Sequence, residues 1–444
     1  MRIAKACRAL GVAPIGVASE TDADSAWARS MDGLVVLGPS APGKSYLQME
    51  RVVQAARQEH CSAIHPGWGF LAENPVFAAL CRQHGITFVG PSPELMAKMG
   101  LKSPAKAAMK AAGLPVIPGS DGPLADLDTA CRVAAEVGYP VILKADAGGG
   151  GRGMRLCHDE HQLKEAFGLA QAEALASFGL ASVYLEKYLS GGRHIEVQVL
   201  VDTFGHGIHL GERECSVQRR HQKLIEESPS PALTDVERAE LGAMAAAAAS
   251  RVGYVGAGTI EFLRAPDEGS KRGEIYFMEM NTRLQVEHTV SEEVSGVDLA
   301  QWQLKIAAGQ RLDLGQEDIK LTGHSIEARI NAEDPSEDFR PSPGTLDAFE
   351  FDLEAAGAHG SLRLDTHLAT GEVVPPYYDS LIGKLISRGP DRAAAIAALD
   401  AGLAAARIEG VATTIPLARA VLGDERFQSG DYDTSFIPGW PPQA

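Results

Sequence analysis

One stretch of the sequence joins an apolar strand directly to a row of polar side chains. Residues 274–278 are mostly apolar, and Glu279, Asn281 and Arg283 follow at alternate positions. Because side chains on a β-strand alternate between its faces, these three are predicted to project from one side at the end of a buried strand. Oxygen ligands followed by a fixed cation suit a divalent metal that holds a phosphate chain, and Glu287 adds a carboxylate that can act as a base. The alternative is a solvated strand with a surface ion pair.

The composition is that of an acidic globular protein. At 444 residues the chain is too long for one core, so about two to four packed domains are expected. The net charge of −17 argues against a protein that coats nucleic acid or an anionic membrane. The six cysteines form no C-x-x-C pair, which favours reduced thiols. Residues 1–10 lack an apolar signal core and no apolar run is long enough to span a bilayer, so we expect a cytoplasmic protein.

The order of predicted elements indicates an α/β protein. Helices and strands alternate at first, which is typical of an open parallel sheet, but the chain begins on a helix, so the first strand of that sheet is predicted to be missing. A single helix containing Lys102 is predicted over 93–113. Antiparallel strands then dominate up to a mixed β domain with helices, which is expected beyond about residue 320. The strands and helices predicted after residue 113 are strands 139–144, 182–188, 194–201, 259–262 and 275–281 and helices 236–252 and 392–406.

Two glycine-containing loops are candidate phosphate sites, and one of them is predicted to be a decoy. Residues 38–45 match the P-loop pattern G-x-x-x-x-G-K-[ST]. A P-loop holds phosphates with successive backbone N–H groups, however, and Pro39 and Pro42 have none. Residues 147–154 lie between two apolar strands, expose glycine N–H groups and have Lys144 at their base. This context favours a mobile phosphate-binding hairpin over a flexible linker.

Other polar groups extend the candidate site. Glu261 lies on a strand that can pair with the strand of Glu279, and with Asn281 these acids would form an all-oxygen site suited to Mg²⁺ or Mn²⁺. The basic segment 218–223 is short and has no aromatic residue for base stacking, so a local anion site is favoured over a nucleic-acid surface.

Two residues carry less information on their own. His194 precedes a strand, and a single histidine is more often a structural donor than a ligand. Arg329 shares a strand face with Glu327, and a simple ion pair between the two is the alternative to a functional role.

Together these motifs resemble those of biotin carboxylase, of the ATP-grasp superfamily. The resemblance runs over essentially all of the chain, and its matching segments are 65–74, 148–154, 186–189, 218–223, 279–288, 327–334 and 375–380. It implies an N-terminal α/β domain over 1–99, an ATP-grasp domain over 100–320 with a mobile lid at about 116–188, and a C-terminal mixed β domain over 321–444.

The resemblance also implies a reaction. Bicarbonate attacks the γ-phosphate of ATP, and the resulting carboxyphosphate yields CO₂ for the ureido nitrogen of biotin. The residues at the family's ATP-contact positions are Lys102, Lys144, Gly150, Gly151, Glu186, Lys187, Tyr188, Leu189, His194, Gln218, His221, Glu261 and Glu279. Those at its metal positions, for two ions of Mg²⁺ or Mn²⁺, are Glu261, Glu279 and Asn281.

The second half of the implied site handles bicarbonate and biotin. Lys223, Arg283 and Val286 match the bicarbonate positions, and Glu287 would take the bicarbonate proton. The released phosphate would be the base towards biotin. Arg329 would bind biotin and stabilise the ureido enolate, for which a guanidinium suits better than an ammonium.

Two departures from the family pattern affect the expected partners. Family members normally open with a strand before the first helix; its absence would leave a gap in the first sheet, and a misassigned start codon is the simplest explanation. The chain has no carboxyltransferase region, and residues 108–110 only superficially resemble a biotinylation motif. Biotin is therefore expected on a separate biotin carboxyl carrier protein, with carboxyltransferase subunits and a homodimer as the further assembly.

Several hypotheses remain open at this point. The main one is a biotin carboxylase subunit of an acyl-CoA carboxylase that serves fatty acid synthesis, although propionyl-CoA, methylcrotonyl-CoA and pyruvate carboxylases share this component. A different ATP-grasp carboxylate–amine ligase would share the metal strand and the glycine hairpin, but it would not need the Arg283–Glu287 spacing together with Arg329. A non-catalytic assembly subunit is the third possibility, and the retained charged residues argue against it.

Overall fold

The first part of the chain forms parallel strand pairs flanked by helices. The computed structural model describes residues 1–147, 154–267, 269 and 272–437. The elements of the first part are α1 (Arg2–Ala9), β1 (Ile15–Ser19), α2 (Ala26–Arg29), β2 (Gly33–Gly38), α3 (Met49–Gln58), β3 (Ala63–Ile64), α4 (Pro75–Gln83), β4 (Thr87–Phe88) and α5 (Pro93–Met99). β1 pairs with β2 and β3 pairs with β4, both in parallel. Within the described ranges no ladder joins the two pairs, which agrees with the predicted gap in this sheet.

The P-loop-like segment does not form a P-loop. Residues Pro42–Lys44 make one turn of 3-10 helix instead of opening an α-helix. A phosphate loop of that class needs a helix N-terminus directly after the glycines. The prediction that this motif is a decoy agrees with this geometry.

The single helix predicted over 93–113 is wrong, because the chain breaks it into two. After α5, a new helix α6 (Lys102–Ala111) begins at Lys102. Asp146 causes the break: its carbonyl oxygen accepts from the backbone N–H of Lys102 at 3.0 Å, and its carboxylate accepts from that of Ser103 at 2.7 Å. The first N–H groups of α6 are thereby satisfied by a residue of the next subdomain.

A small α/β unit follows α6. Its elements are α7 (Leu127–Val137), β5 (Val141–Ala145), β6 (Met154–Cys157), α8 (Glu160–Phe178) and β7 (Val183–Lys187). The three strands form an antiparallel sheet with β5 in the centre, and α7 and α8 pack against it around a buried apolar cluster. The glycine loop joins β5 to β6, so its predicted place between two antiparallel strands is confirmed; the loop itself lies outside the described residues.

The largest element is an eight-stranded antiparallel sheet. The central segment contributes β8 (Arg193–Val201), β9 (Gly207–Arg219), β10 (Gln222–Ser228), α9 (Asp235–Arg251), β11 (Gly256–Arg264), β12 (Ile275–Asn281), α10 (His288–Ser295) and α11 (Leu299–Ala307). The last segment contributes β13 (His324–Asn331), β14 (Glu333–Asp334), β15 (Arg340–Pro341), β16 (Gly344–Thr345), β17 (Ala348–Glu350), β18 (Ser361–Thr366), β19 (Val373–Val374), β20 (Leu381–Gly389), α12 (Arg392–Ala405), β21 (Arg407–Glu409), α13 (Ile415–Gly423) and α14 (Glu425–Ser429). Short 3-10 segments lie at Gln316–Asp318, Pro335–Glu337 and Leu353–His359.

The strand order of this sheet is β12-β11-β8-β9-β10-β13-β20-β18. β10 and β13 pair directly, so the sheet is continuous across the domain boundary predicted near residue 320, which itself stays a prediction. The fold as a whole is mixed α/β, as expected. No helix among the described residues is both long and apolar enough to cross a bilayer.

Candidate active site

Two acidic residues face each other where β11 pairs with β12. Glu261 lies opposite Glu279 in the ladder, as predicted. β12 ends at Asn281, so the prediction that Arg283 continues the same strand face is wrong, and Arg283 lies in the following turn. Its side chain nevertheless reaches back, because Nη2 donates to Asn281 Oδ1 at 3.2 Å. The three predicted metal ligands and Arg283 are therefore brought together.

The acidic pair fits a divalent cation. Burial and the neighbouring Glu261 carboxylate both raise the pKa of Glu279. Glu261 itself accepts from Asn281 Nδ2 at 2.8 Å and lies 3.0 Å from His194 Nε2. Burial opposes its ionisation, but Lys223 and His194 outweigh burial and lower the pKa of Glu261. Two facing carboxylates beside an amide form the all-oxygen donor set that Mg²⁺ and Mn²⁺ prefer, and a cation there would relieve their repulsion.

Lys223 joins the acidic pair to the rest of the site. Its Nζ donates to Glu196 at 2.6 Å, to Glu261 at 3.0 Å and to Glu287 at 2.7 Å. Burial opposes its charge, but the three carboxylates outweigh burial and raise the pKa of Lys223 well above its ordinary value. All three ammonium donors are used, so this lysine is a fixed positive charge.

Glu287 is held between two cations. It is 2% exposed and precedes the first residue of α10. One of its oxygens accepts from Lys223, and the other accepts from Arg329 Nη2 at 3.0 Å. Burial opposes ionisation, but Lys223, Arg329 and Arg213 together hold the pKa of Glu287 well below its ordinary value. The resting side chain is therefore a carboxylate that can accept a proton once its cations turn to other partners.

The simple ion pair between Glu327 and Arg329 is not formed. Arg329 instead contacts Glu226, with Nη2 at 2.5 Å and Nε at 2.6 Å, and Glu287. Glu327 lies 3.1 Å from Lys384 Nζ. Arg329 thus spans from β13 to β10 and α10, which is what a residue that organises a cleft does.

Arg213 lies beneath the site and was not singled out from the sequence. It is 0% exposed, and its guanidinium donates to five acceptors. These acceptors are Glu196 at 2.5 Å, Gln198 at 2.7 Å, Gln285 at 2.8 Å and the hydroxyls of Ser291 and Thr259 at 3.0 Å. The five N–H donors of the guanidinium are all satisfied. A charged residue inside an alternating strand is the only sequence signal for it.

Glu73 is a second residue that the sequence did not single out by itself, although it lies in the segment 65–74. Its carboxylate accepts from the backbone N–H of Thr282 and from Arg283 Nε, both at 2.9 Å. The N–H that would extend β12 is thereby used by the N-terminal part of the chain, which explains why the strand ends. Glu73 also fixes the direction of Arg283.

The small α/β unit presents the remaining cations. Lys144 Nζ and Lys106 Nζ donate to Glu186 at 2.7 and 2.9 Å. Burial lowers the pKa of Lys102. Lys187 Nζ donates to the carbonyls of Gly138 and Tyr139, so its ammonium is used within the fold.

The other predicted positions take their places around this core. Tyr188 and Leu189 follow β7, Gln218 ends near the tip of β9, and His221 is exposed in the β9–β10 turn with φ of +68°. Val286 is buried, and its carbonyl accepts from Lys384. Gly150 and Gly151 lie outside the described residues.

The arrangement has two chemically different halves. An all-oxygen pocket with nearby lysines can hold a cation and a phosphate chain. Beside it, a carboxylate between a lysine and an arginine can exchange a proton with a small anion. Lys223 contacts both halves, so a reaction that starts on phosphate can continue at the carboxylate.

Sequence models of three domains match the chain in order. They are the biotin carboxylase N-terminal domain at residues 1–96, the carbamoyl-phosphate synthase L chain ATP-binding domain at 102–315 and the biotin carboxylase C-terminal domain at 327–439. The biotin carboxylase of Nostoc sp. (strain PCC 7120) is 48% identical over 437 residues, which are 98% of this chain and 96% of that protein.

Solved structures agree over the same length. A biotin carboxylase from Campylobacter jejuni in a β-γ-ATP complex is 46% identical, with a TM-score of 0.92 over 98% of this chain and 95% of that one. The biotin carboxylase domain dimer of Hydrogenobacter thermophilus 2-oxoglutarate carboxylase, in complex with MgADP, ADP and bicarbonate, is 45% identical. Its TM-score is 0.91, over 98% of this chain and 94% of that one.

Proposed function

The chain belongs to the biotin carboxylase family, and from that membership we propose that it carboxylates carrier-bound biotin in the first half-reaction of an acyl-CoA carboxylase. The protein is an ATP-dependent ligase. The observation that carries the proposed chemistry is Glu287, buried between Lys223 and Arg329. A carboxylate held in this way would deprotonate bicarbonate, and the two cations would stabilise charge on oxygen as it develops.

The proposed sequence of events uses the two halves in turn. Lys223, Arg283 and Val286 would bind bicarbonate, which attacks the γ-phosphate while Glu287 takes its proton. As Lys223 and Arg329 turn from Glu287 to the substrates, burial acts on Glu287 with less opposition, and its pKa rises towards that of a useful base. Arg329 would then stabilise the ureido enolate, and the released phosphate would take the biotin proton.

The nucleotide half serves this sequence. Lys102, Lys144 and the segment from Glu186 to Leu189 would bind ATP, with the glycine loop above the phosphates. Glu261, Glu279 and Asn281 would hold Mg²⁺ or Mn²⁺, which when bound neutralises phosphate charge. Support for nucleotide, magnesium and bicarbonate comes from the relatives whose complexes contain them.

Phosphate release is the direct test. We expect the purified chain to release phosphate from Mg-ATP at a rate that depends on both bicarbonate and free biotin, and to stop when the metal is chelated. The measurement omits bicarbonate, biotin and metal in turn and follows phosphate and carboxybiotin. Turnover without biotin, or no turnover in the complete mixture, would contradict the proposed function.

The acyl acceptor and the assembly are the finer part of the proposal. We favour malonyl-CoA formation for fatty acid synthesis, in the cytoplasm, with a biotin carboxyl carrier protein, carboxyltransferase subunits and a homodimer as the assembly. Propionyl-CoA, methylcrotonyl-CoA and pyruvate carboxylases are the alternatives, since relatives acting on different acceptors share this unit. Adding the chain to carrier and carboxyltransferase pairs of each class, and measuring acceptor carboxylation, distinguishes them.

Glu73 provides a prediction about bicarbonate affinity. Glu73→Gln removes the charge that fixes Arg283, so we expect KM for bicarbonate to rise about tenfold, or about 1.4 kcal/mol, with a smaller effect on kcat. Steady-state kinetics at varied bicarbonate measure this change. The control Glu94→Gln breaks an exposed pair with Arg82 and should leave KM unchanged. Equal KM values for wild type and Glu73→Gln would contradict the role of Glu73.

A further inference from the structure

A pair of acidic residues lies directly behind Arg329. Glu226 on β10 and Glu327 on β13 are opposite each other in the antiparallel ladder, and both are 0% exposed. Opposite residues of such a ladder place their side chains on one face, with Cβ atoms about 4.5–5.5 Å apart. Like charges at opposite positions are destabilising, and more so without water, so two ionised carboxylates here would be costly.

Each of these carboxylates has one bonded oxygen and one unpaired oxygen. Glu226 Oε1 accepts from Arg329, and Glu327 Oε2 accepts from Thr289 and lies 3.1 Å from Lys384 Nζ. Glu226 Oε2 and Glu327 Oε1 are buried and have no hydrogen-bond partner in the part of the chain that is described. A single proton between them would make one a donor and the other an acceptor, and both would be satisfied.

The nearby charges also favour one proton. Glu226, Glu327 and Glu287 are the carboxylates around Arg329 and Lys384. With all three ionised, this set carries one excess negative charge, and one proton cancels it. Glu287 is also bonded to Lys223, so the proton belongs on the two acids that have no further cation.

The environment acts in the same direction. Burial raises the pKa of Glu226 to about 8 although Arg329 opposes the change, and burial also raises the pKa of Glu327. The remaining groups that face the pair are neutral: Thr289 from α10 is a hydroxyl, and burial raises the pKa of the Cys215 thiol on β9 well above its ordinary value.

We propose that Glu226 and Glu327 share one proton in the resting protein and together act as a positioning group for Arg329. The inference rests on the proposed function of Arg329 towards biotin. While the proton is shared, Arg329 meets a neutral acid through Nε, and its Nη1 takes no part in the contacts with Glu226 and Glu287. When the proton is lost, a second full charge holds the guanidinium back, and it is less available to a developing enolate.

Infrared spectroscopy of the resting protein tests the shared proton without any substrate. We expect a carboxylic acid C=O stretch at about pH 7 that fades with a midpoint near 8 and is absent from Glu226→Gln. Glu327→Gln should remove it as well, which keeps the test valid should one variant fold poorly. The matched control is Glu227→Gln, the next residue on β10, whose pKa is held at about 2 against burial by His324 and Arg392, so the band should persist. A band that survives in both Glu226→Gln and Glu327→Gln would overturn the proposal.

Stability against pH gives a second substrate-free measurement. The pKa of Glu226 lies above its ordinary 4.5, at about 8, so the protonated form is favoured by folding. Its contribution is complete below about pH 4.5 and is lost as the pH rises through about 8. Urea unfolding should show this decline in the wild type and a flatter profile in Glu226→Gln. Parallel profiles would contradict the shared proton.

Kinetics then test the consequence for Arg329. One pH unit above a pKa of about 8, about one tenth of the pair keeps its proton, so kcat for biotin carboxylation should fall about tenfold by pH 9 in the wild type and less than about twofold in Glu226→Gln. The same fall in both proteins would overturn the positioning role. The two failures are distinguishable: carboxylation without the infrared band refutes the shared proton, whereas the band without carboxylation refutes the proposed function.

Discussion

Glu287→Gln is expected to lower kcat for bicarbonate-dependent phosphate release and for biotin carboxylation by about 10²–10⁴-fold. The amide keeps the size of the side chain but cannot accept a proton as a carboxylate does. It also leaves Lys223 and Arg329 without the buried charge that both now contact at 2.7 and 3.0 Å. The loss should therefore appear in kcat with bicarbonate saturating, and not only in KM.

The control for this variant is Glu293→Gln. Glu293 lies on the same helix, α10, is partly exposed and contacts Arg363 rather than the site. Its replacement should leave both rates close to those of the wild type. An undiminished rate in Glu287→Gln would exclude Glu287 as the base, and circular dichroism of both variants shows whether a loss is one of folding.

Arg213→Met is expected to cost about 3–5 kcal/mol of stability, because it removes one partner of a buried charge pair. Glu196 would keep Lys223 as its only cation, and the four neutral acceptors around Arg213 would lose their donor. Arg213→Lys should recover only part of the loss, since an ammonium has three donors where the guanidinium has five. Urea unfolding measures the change as a lower midpoint at an unchanged slope.

The matched control is Arg132→Met, which breaks an exposed pair with Glu136 within one helix. Such pairs contribute little, so its midpoint should stay near that of the wild type. A wild-type midpoint in Arg213→Met would mean that the surrounding polar groups find other partners. The prediction of an essential buried arginine would then be wrong.

The sequence was sufficient for residues whose function depends on local order. The pairing of Glu261 with Glu279 follows from two alternating strands joined by a short connection, and the structure has the same register. The two prolines in residues 38–45 were enough to exclude a phosphate loop there. Local rules of this kind need no knowledge of the tertiary structure.

Residues that act through distant contacts could not be predicted in this way. Arg213 has partners on four other segments of the chain, and no local pattern selects it over other arginines. Asp146 breaks the predicted helix 93–113 from more than thirty residues away, and Glu73 ends β12 from about two hundred residues away. In each case a long-range hydrogen bond overrides the local propensity.

The direct pairing of β10 with β13 has a consequence for the timing of the reaction cycle. Lys223 and Arg329 lie on these two hydrogen-bonded strands, whereas Lys144 lies in the separate three-stranded sheet of the small α/β unit. Nucleotide exchange would need that small unit to move, but backbone hydrogen bonds hold the spacing of the lysine and the arginine around Glu287. Hydrogen exchange should accordingly be slow in β10 and β13 and faster in β5 to β7. A protein built in this way can open for each new nucleotide without reassembling its proton-transfer geometry in every turnover.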